Sequence, residues 1–279
     1  MTGPDNGGIP LLTNCHTLIL RRLLGHGETP PPAEHDLYIY NVTPDSLPLS
    51  QEFRARETHV FAPPAGALAR YPKLVWVKCH IVVDNFCHYG TPAKAASALD
   101  PAQKMGYTYR RGADLVPLVR DYAREMGQDL APREAHYLAH VLVEIAVDFR
   151  IYQEDRSVAL VLSGARAEMK GEQRREYIEG VSLLYGCEPA KVERSQGAPA
   201  RFYGALYGVD SLFLDGRTKI ILRKLRLPYS EANIGRTRGL ILDASEKVSD
   251  YPDSVGGAIE VLAVRDGWAG EGTLAAEEQ

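Results

Sequence analysis

Residues 129 to 152 read DLAPREAHYLAHVLVEIAVDFRIY. Asp129 precedes a start, and Pro132 falls in the first turn, where a helix does not need the missing N–H. From there Ala135, Leu138, Leu142, Val143, Ile145, Ala146 and Phe149 recur at helical spacing and form one apolar stripe. The stretch predicts a long helix that runs to about Tyr152.

The same period continues on either side. From Ile9 to Leu24 the apolar positions Leu11, Leu12, Leu18, Ile19, Leu23 and Leu24 are spaced by turns, with Gly25 and Gly27 as the stop. Lys73 to Tyr89 repeats the pattern up to Gly90, and Leu115 to Met126 follows Asp114 as an N-cap and ends at Gly127. Further helices are expected at 156–168, 173–186, 199–214 and 217–226. Leu37 to Val42 reads as a short extended piece, and no alternation persists long enough to propose a sheet. The Pro- and Gly-marked connections are 27–36, 62–72 and 90–112. Together these predict an all-α chain, with one domain over 1–268 and a mobile acidic tail over 269–279.

The 279 residues are 45% apolar and 24% charged, which excludes a disordered or fibrous chain. With 36 acidic against 32 basic side chains the net charge is -4, so bulk charge does not attract nucleic acid and no stable nucleic-acid partner is expected. No apolar run reaches the roughly 18 to 20 residues that a membrane span needs. The start, MTGPDN, lacks the basic and apolar regions of a leader, so the expected location is cytoplasmic. Of four cysteines, Cys15, Cys79 and Cys87 each stand directly before a histidine. Neighbours on a helix point about 100° apart, so these pairs suit small buried residues beside functional histidines better than shared metal ligation.

Two triplets of the same spacing stand out: His80, Asp84, His88 and His136, His140, Glu144. Positions four apart lie along one helix face, each about 40° further round, so neighbouring members can share a cation. Chance alone supplies about one His with an acid four residues on, but only roughly 0.03 triplets of this order. Any single member also reads as a core histidine or a capping acid. Together on apolar faces they would be costly to bury unless paired or bound to metal. Imidazole with carboxylate suits zinc, and manganese or iron(II) as well.

The order Asn14-Cys15-His16, Thr43-Pro44-Asp45, Thr58-His59, His80-x-x-x-Asp84-x-x-x-His88 and His140-x-x-x-Glu144 resembles the zinc-dependent phospholipase C superfamily. That group includes bacterial phospholipases C, fungal single-strand nucleases and the catalytic domain of glycosylphosphatidylinositol-specific phospholipase D. The four-residue step from Asp84 to His88 is similar to the phospholipase D branch; the bacterial enzymes use six. The resemblance spans 14 to about 150. It implies an all-α fold with a zinc cluster in a cleft. His59, His80 and Asp84 would hold one ion, with Asp84 bridging to a second held by His88, His140 and Glu144, and His16 with Asp45 would belong to a third. Secreted members complete that third position with an N-terminal tryptophan, which is not found here, so two or three zinc ions are expected. His136 is a ligand, a group that orients one, or a cleft residue.

The expected activity is hydrolysis of a phosphoester or phosphodiester, in a small molecule or a lipid, by a metal-activated water. Asp84 and Asp45 are the catalytic candidates, Asp45 as the carboxylate that orients the water if no third ion holds it. Glu57, Glu134 and Asp148 are available to orient ligand histidines. Arg110-Arg111 and the Arg217–Arg226 stretch, with Lys219, Arg223 and Lys224, suit an anionic substrate, a membrane surface or a solvated face. Tyr38, Tyr40, Phe86, Tyr89, Tyr107 and Tyr109 suit a cleft, stacking on a base, or the core. The competing functions are a biosynthetic enzyme that runs a non-phosphate reaction on the same metal scaffold, and a helical binding protein in which metal serves stability alone.

Overall fold

The computed structural model describes residues 13–90, 104–197 and 210–265, with the side chains of 210–212 and 265 excepted. Among these residues every regular element is helical, and no helix is long and apolar enough to cross a membrane. The chain divides into two units: 1–82, 155–207 and 259–279 form the first, 83–154 and 208–258 the second. The acidic tail expected at 269–279 lies outside the described residues.

The first unit begins with α1, Thr13–Leu23, whose expected upstream residues Leu11 and Leu12 lie outside the described residues. Next comes α2, His35–Asn41, where an extended piece was expected. The β-branched and aromatic run LYIY has strand propensity, but a 3-10 turn at Pro32–Glu34 leads into a helix that buries Tyr38, Ile39 and Tyr40 completely. Packing overrides propensity there. Three one-turn helices follow: α3 (Thr43–Ser46), α4 (Ala55–Thr58) and α5 (Ala67–Arg70). A 3-10 turn at Pro72–Leu74 opens into α6, Val75–Tyr89, whose residues to 82 belong to this unit.

Helix α9, Arg156–Glu168, packs on α1 and α2 through Val158, Val161 and Leu162. Each such fully buried aliphatic side chain contributes about 1.5–3 kcal/mol. Arg21 of α1 reaches both the Ser157 hydroxyl, at 2.6 Å, and the carboxylate of Asp155, the N-cap of α9. Helix α10, Gly171–Tyr185, brings Tyr177 OH to 3.0 Å from Thr43 Oγ1 and is followed by α11, Pro189–Ser195, which had not been expected.

In the second unit α7, Tyr107–Glu125, starts eight residues before the expected Leu115 and continues through Pro117. That proline gives up one helical hydrogen bond. Burial of Tyr107, Gly112, Leu115, Val119 and Tyr122 along one face keeps the helix intact. Helix α8, Pro132–Glu154, matches the expectation and packs along α7. At Gly112 the two backbones are so close that an added Cβ would stand 3.0 Å from the amide nitrogen of His140.

Helix α12, Asp210–Lys224, passes through Gly216, where two helices had been expected; most of the expected 199–214 segment lies outside the described residues. It packs on α8 with Phe213 against Tyr152, ring centroids 4.8 Å apart, and with Arg217 paired to Asp148, both fully buried. Helix α13 is Glu231–Glu246 and α14 is Tyr251–Arg265; Asp250, just before α14, takes Tyr107 OH at 2.8 Å and the Arg111 guanidinium.

Candidate metal centres

In the first unit Asp45 lies in α3 and His59 directly follows α4. Both helices are single turns, and local bonds hold them. Glu57 accepts the Arg54 backbone N–H at 3.2 Å, which closes the start of α4. Thr58 Oγ1 donates to the Pro44 carbonyl at 2.6 Å, so the residue before His59 is tied to the residue before Asp45. His80 arrives from α6 and is fully buried.

The donor atoms converge. His59 Nε2 is 3.3 Å and His80 Nε2 3.7 Å from the same oxygen, Asp45 Oδ1, and the three donor atoms lie within 4.8 Å of one another. Ligands about 2.1 Å from a tetrahedral zinc stand about 3.4 Å apart, so the observed spacing is that of atoms around one ion. The tautomer of His59 agrees. Its Nδ1 is 2.8 Å from the Ala55 carbonyl, which can only accept, so Nδ1 carries a proton and Nε2 is the nitrogen turned to Asp45. His16, on α1, stacks flat on His80, with centroids 3.7 Å apart and 19° between planes. Tyr185 OH donates to the Thr58 carbonyl at 2.8 Å, and burial, then Tyr177, Cys187 and Asp45, push that phenol well up and keep it a donor.

In the second unit His88 from α6 meets His140 and Glu144 from α8, again with donors within 4.8 Å. Glu144 Oε1 is 2.5 Å from His88 Nε2, a direct hydrogen bond, and 3.8 Å from His140 Nε2. Asp84 Oδ2, one turn earlier on α6, is 3.9 Å from His88 Nδ1. His88, His140 and Glu144 would hold a cation here only with the proton between His88 and Glu144 given up. Tyr109 stacks on His140 at 4.2 Å and 13°, and Tyr137 meets it edge-on at 4.8 Å. Burial, then the charges of His88, Lys224 and Lys104, hold His140 well below its ordinary pKa, in the neutral form a ligand requires. Burial, then Asp84 and Glu144, push the Cys87 thiol up to about 12 despite a bond to Ser254; it stays a thiol, as expected of a structural cysteine.

In the first unit the structure brings together Asp45, His59 and His80 with His16 stacked on His80, and in the second it brings together His88, His140 and Glu144 with Asp84 near His88. The resemblance implied that Asp45 goes with His16; the geometry groups it with His59 and His80. His136 is half-buried on α8 and joins neither group. Of the acids expected to orient histidines, Glu57 and Glu134 accept backbone N–H groups at helix starts and Asp148 pairs with Arg217. Short polar stretches before helices drew them into capping. The orienting group at His59 is a backbone carbonyl, which no sequence motif marks. Arg217 is fully buried, and Arg111 is a partly exposed charge paired with Asp250. Tyr38 and Tyr40 are core residues. Tyr137 had not been singled out, although its position three before His140 places it over that ring. His26 and His35 make structural contacts, His26 with Tyr38 OH at 2.8 Å and His35 with the Pro30 carbonyl at 2.9 Å.

Fold and donors define an all-α protein in which, among the described residues, each unit has an imidazole–carboxylate group that could hold a metal ion. No family model, no curated protein and no solved structure matches the chain.

Proposed function

We propose that the chain is a metal-dependent hydrolase of phosphate esters, with zinc as the metal. The observation that carries this reading is the shared oxygen of Asp45, 3.3 Å from His59 Nε2 and 3.7 Å from His80 Nε2. Two imidazoles and a carboxylate make a three-ligand set that leaves a fourth position for water or substrate, which is the composition of catalytic rather than structural zinc sites. The order of the motifs, with its resemblance to the zinc-dependent phospholipase C superfamily, supports the same reading.

In the first unit His59, His80 and Asp45 would hold an ion, and in the second His88, His140 and Glu144 would, with Asp84 next to His88. Bound there, a divalent cation supplies a Lewis acid that acidifies a water and neutralises charge on a phosphoryl oxygen. The chain does the positioning. Ala55 fixes the His59 proton on Nδ1, Thr58 locks the spacing between the Asp45 and His59 segments, and Tyr109 and Tyr137 hold the His140 ring between them. Burial keeps bulk water from competing for the donors.

The test is elemental analysis of protein purified without affinity-column metals and then supplied with zinc, followed by turnover assays on p-nitrophenyl phosphate and bis(p-nitrophenyl) phosphate. At least one tightly held zinc per chain and zinc-dependent release of nitrophenolate is the expected result. Stoichiometric metal without turnover of either ester points to the non-phosphate reaction or to a structural metal. Well under one metal per chain overturns the reading.

A further inference from the structure

A cavity of about 460 Å³ lies in the second unit, between the end of α6, the residues that lead into α7 and the start of α14. Its volume falls within the roughly 300–1,000 Å³ of small-molecule sites. The apolar part of its lining includes Phe86, Tyr89 and Met105. Phe86 is seated against Gly257, where an added Cβ would stand 3.2 Å from the Cζ of the ring. Met105 is 66% exposed, so a long apolar side chain is left at the surface where it borders the cavity. An apolar body placed there takes these side chains out of water.

The charged residues of the lining are Arg110, Asp250 and Asp253. Asp250 is already engaged. Tyr107 Oη donates to it at 2.8 Å and Arg111 Nε at 2.9 Å, and this contact ties α7 to the start of α14 and fixes two walls of the cavity. Arg110 is next to Arg111 on α7, Asp253 is three residues past Asp250, and both are exposed. Among the described residues neither of these two side chains makes a hydrogen bond or an ion pair, not even with the other. The lining therefore offers one uncommitted guanidinium and one uncommitted carboxylate around an apolar floor. A ligand with an anionic group alone would leave Asp253 unmatched, and one with a cationic group alone would leave Arg110 unmatched; a molecule that carries both satisfies both. We propose that this cavity binds a small zwitterion with a large apolar body, of the class of a free aromatic α-amino acid, its carboxylate on Arg110, its ammonium on Asp253 and its ring against Phe86, Tyr89 and Met105. The planar fork of an arginine suits a carboxylate in particular. None of His88, His140 and Glu144 is among the described lining residues, so binding here does not depend on the hydrolase reading.

The test is a ligand-observed NMR titration of the full chain with L-phenylalanine, 3-phenylpropionate and 2-phenylethylamine, which share the ring and differ in charge. It is run on the wild type, Arg110→Gln, Asp253→Asn and Met105→Ser, with the melting temperature read on each so that a folding defect is seen as such. The wild type should bind phenylalanine about three- to fivefold more tightly than either analogue, the scale of one exposed charge-assisted contact. Arg110→Gln should lose that factor for phenylalanine without weakening phenylethylamine, and Asp253→Asn should lose it without weakening phenylpropionate. Met105→Ser should weaken all three. The absence of saturable phenylalanine binding, equal affinity for the three compounds or tighter binding of one analogue overturns the proposal. So does phenylalanine binding that neither charge variant weakens, which is what chelation of a bound metal by the amino acid would give.

Discussion

Thr58 Oγ1 donates to the Pro44 carbonyl across 2.6 Å, and through that bond two single-turn helices hold the Asp45 carboxylate opposite the His59 ring. Neither α3 nor α4 has the length to be stable by itself. The bond is fully buried, so removing its donor strands an acceptor. Thr58→Val, which keeps the shape, should cost about 1–3 kcal/mol of stability and weaken zinc at the first centre by about 10–100-fold, the usual effect of losing a group that positions ligands. Urea unfolding and a zinc competition titration measure the two effects. Wild-type zinc affinity in a variant of normal stability would show that the two turns need no tie.

The group Asp45, His59 and His80 shares no residue with the group His88, His140 and Glu144, so an ion held by one should be lost without the other. Asp45→Ala should remove the ion of the first group and leave the second loaded; Glu144→Ala should do the opposite. Metal per chain, determined after equilibrium dialysis, should fall by about one equivalent in each single variant and by about two in the double. A single variant that loses everything would mean that the groups load as one.

Gly112 is a steric prediction. Its α-carbon faces the His140 backbone with room for hydrogen alone, because a methyl group would stand 3.0 Å from the amide nitrogen and 3.1 Å from Cα. Gly112→Ala should push α7 off α8 at the cost of about 1–3 kcal/mol, even though alanine is the better helix former. A stabilised Gly112→Ala protein in thermal unfolding would show that the two helices separate freely.

Asp148 and Arg217 are both fully buried and 3.1 Å apart, with the guanidinium carbon 4.2 Å from the Phe213 ring centroid. Asp148→Ala takes a carboxylate away from a buried guanidinium and should cost about 3–5 kcal/mol, whereas Asp148→Leu combined with Arg217→Met should be about neutral. The comparison is a denaturant midpoint series. Equal losses in both proteins would mean that loss of the pair itself, and not the buried charge kept in Asp148→Ala, sets the cost.

Acid should expose the contact between Arg21 and Asp155. Burial raises the Asp155 carboxyl, but bonds from Ser157 and Arg21 outweigh it and leave the pKa below its ordinary value. A depressed folded value means stability that is present above the unfolded pKa of about 3.9 and is lost as pH falls through the folded one. Asp155→Asn keeps the N-cap acceptor and drops the charge. Wild type should therefore exceed this variant by about 0.5–1 kcal/mol above pH 4, given the solvent exposure of the carboxylate, and the gap should close below that pH. A gap that does not change with pH would assign the difference to the cap.

The parts of the site that were legible in the sequence are those with local geometry. His80, Asp84, His88, His140 and Glu144 stood out because a four-residue step fixes a shared helix face, but which of them share a donor group did not follow from it, since His80 goes with Asp45 and His59 and His88 with His140 and Glu144. The grouping of Asp45 with His59 and His80 could not be read, since it depends on how a short turn near residue 44 meets another near 58, which the Thr58 hydroxyl bond to Pro44 helps to set. The same limit applies to the helices. Residues 132–154 show an unbroken apolar stripe and were found within a few residues, whereas α13 and α14 were missed because Gly235, Gly239, Gly256 and Gly257 dilute both the stripe and the propensity. Pro117 resembles a first-turn residue and so hid the start of α7, which the burial of Tyr107 and Gly112 sustains.

The chain leaves one unit for the other after residues 82, 154, 207 and 258. On the ribosome this order imposes a delay. Helix α1 ends at Leu23, but the helix that covers it, α9, begins at Arg156, and at about 5–20 residues per second the interval is on the order of ten seconds. During that time the apolar face of α1, with Leu18, Ile19 and Leu20, has no α9 to cover it. Production of the protein should therefore respond to chaperones that hold nascent chains, and slower translation after residue 23 should lower the soluble yield. Expression of 1–82 or 83–154 alone should yield an unfolded product, because neither piece contains a whole unit.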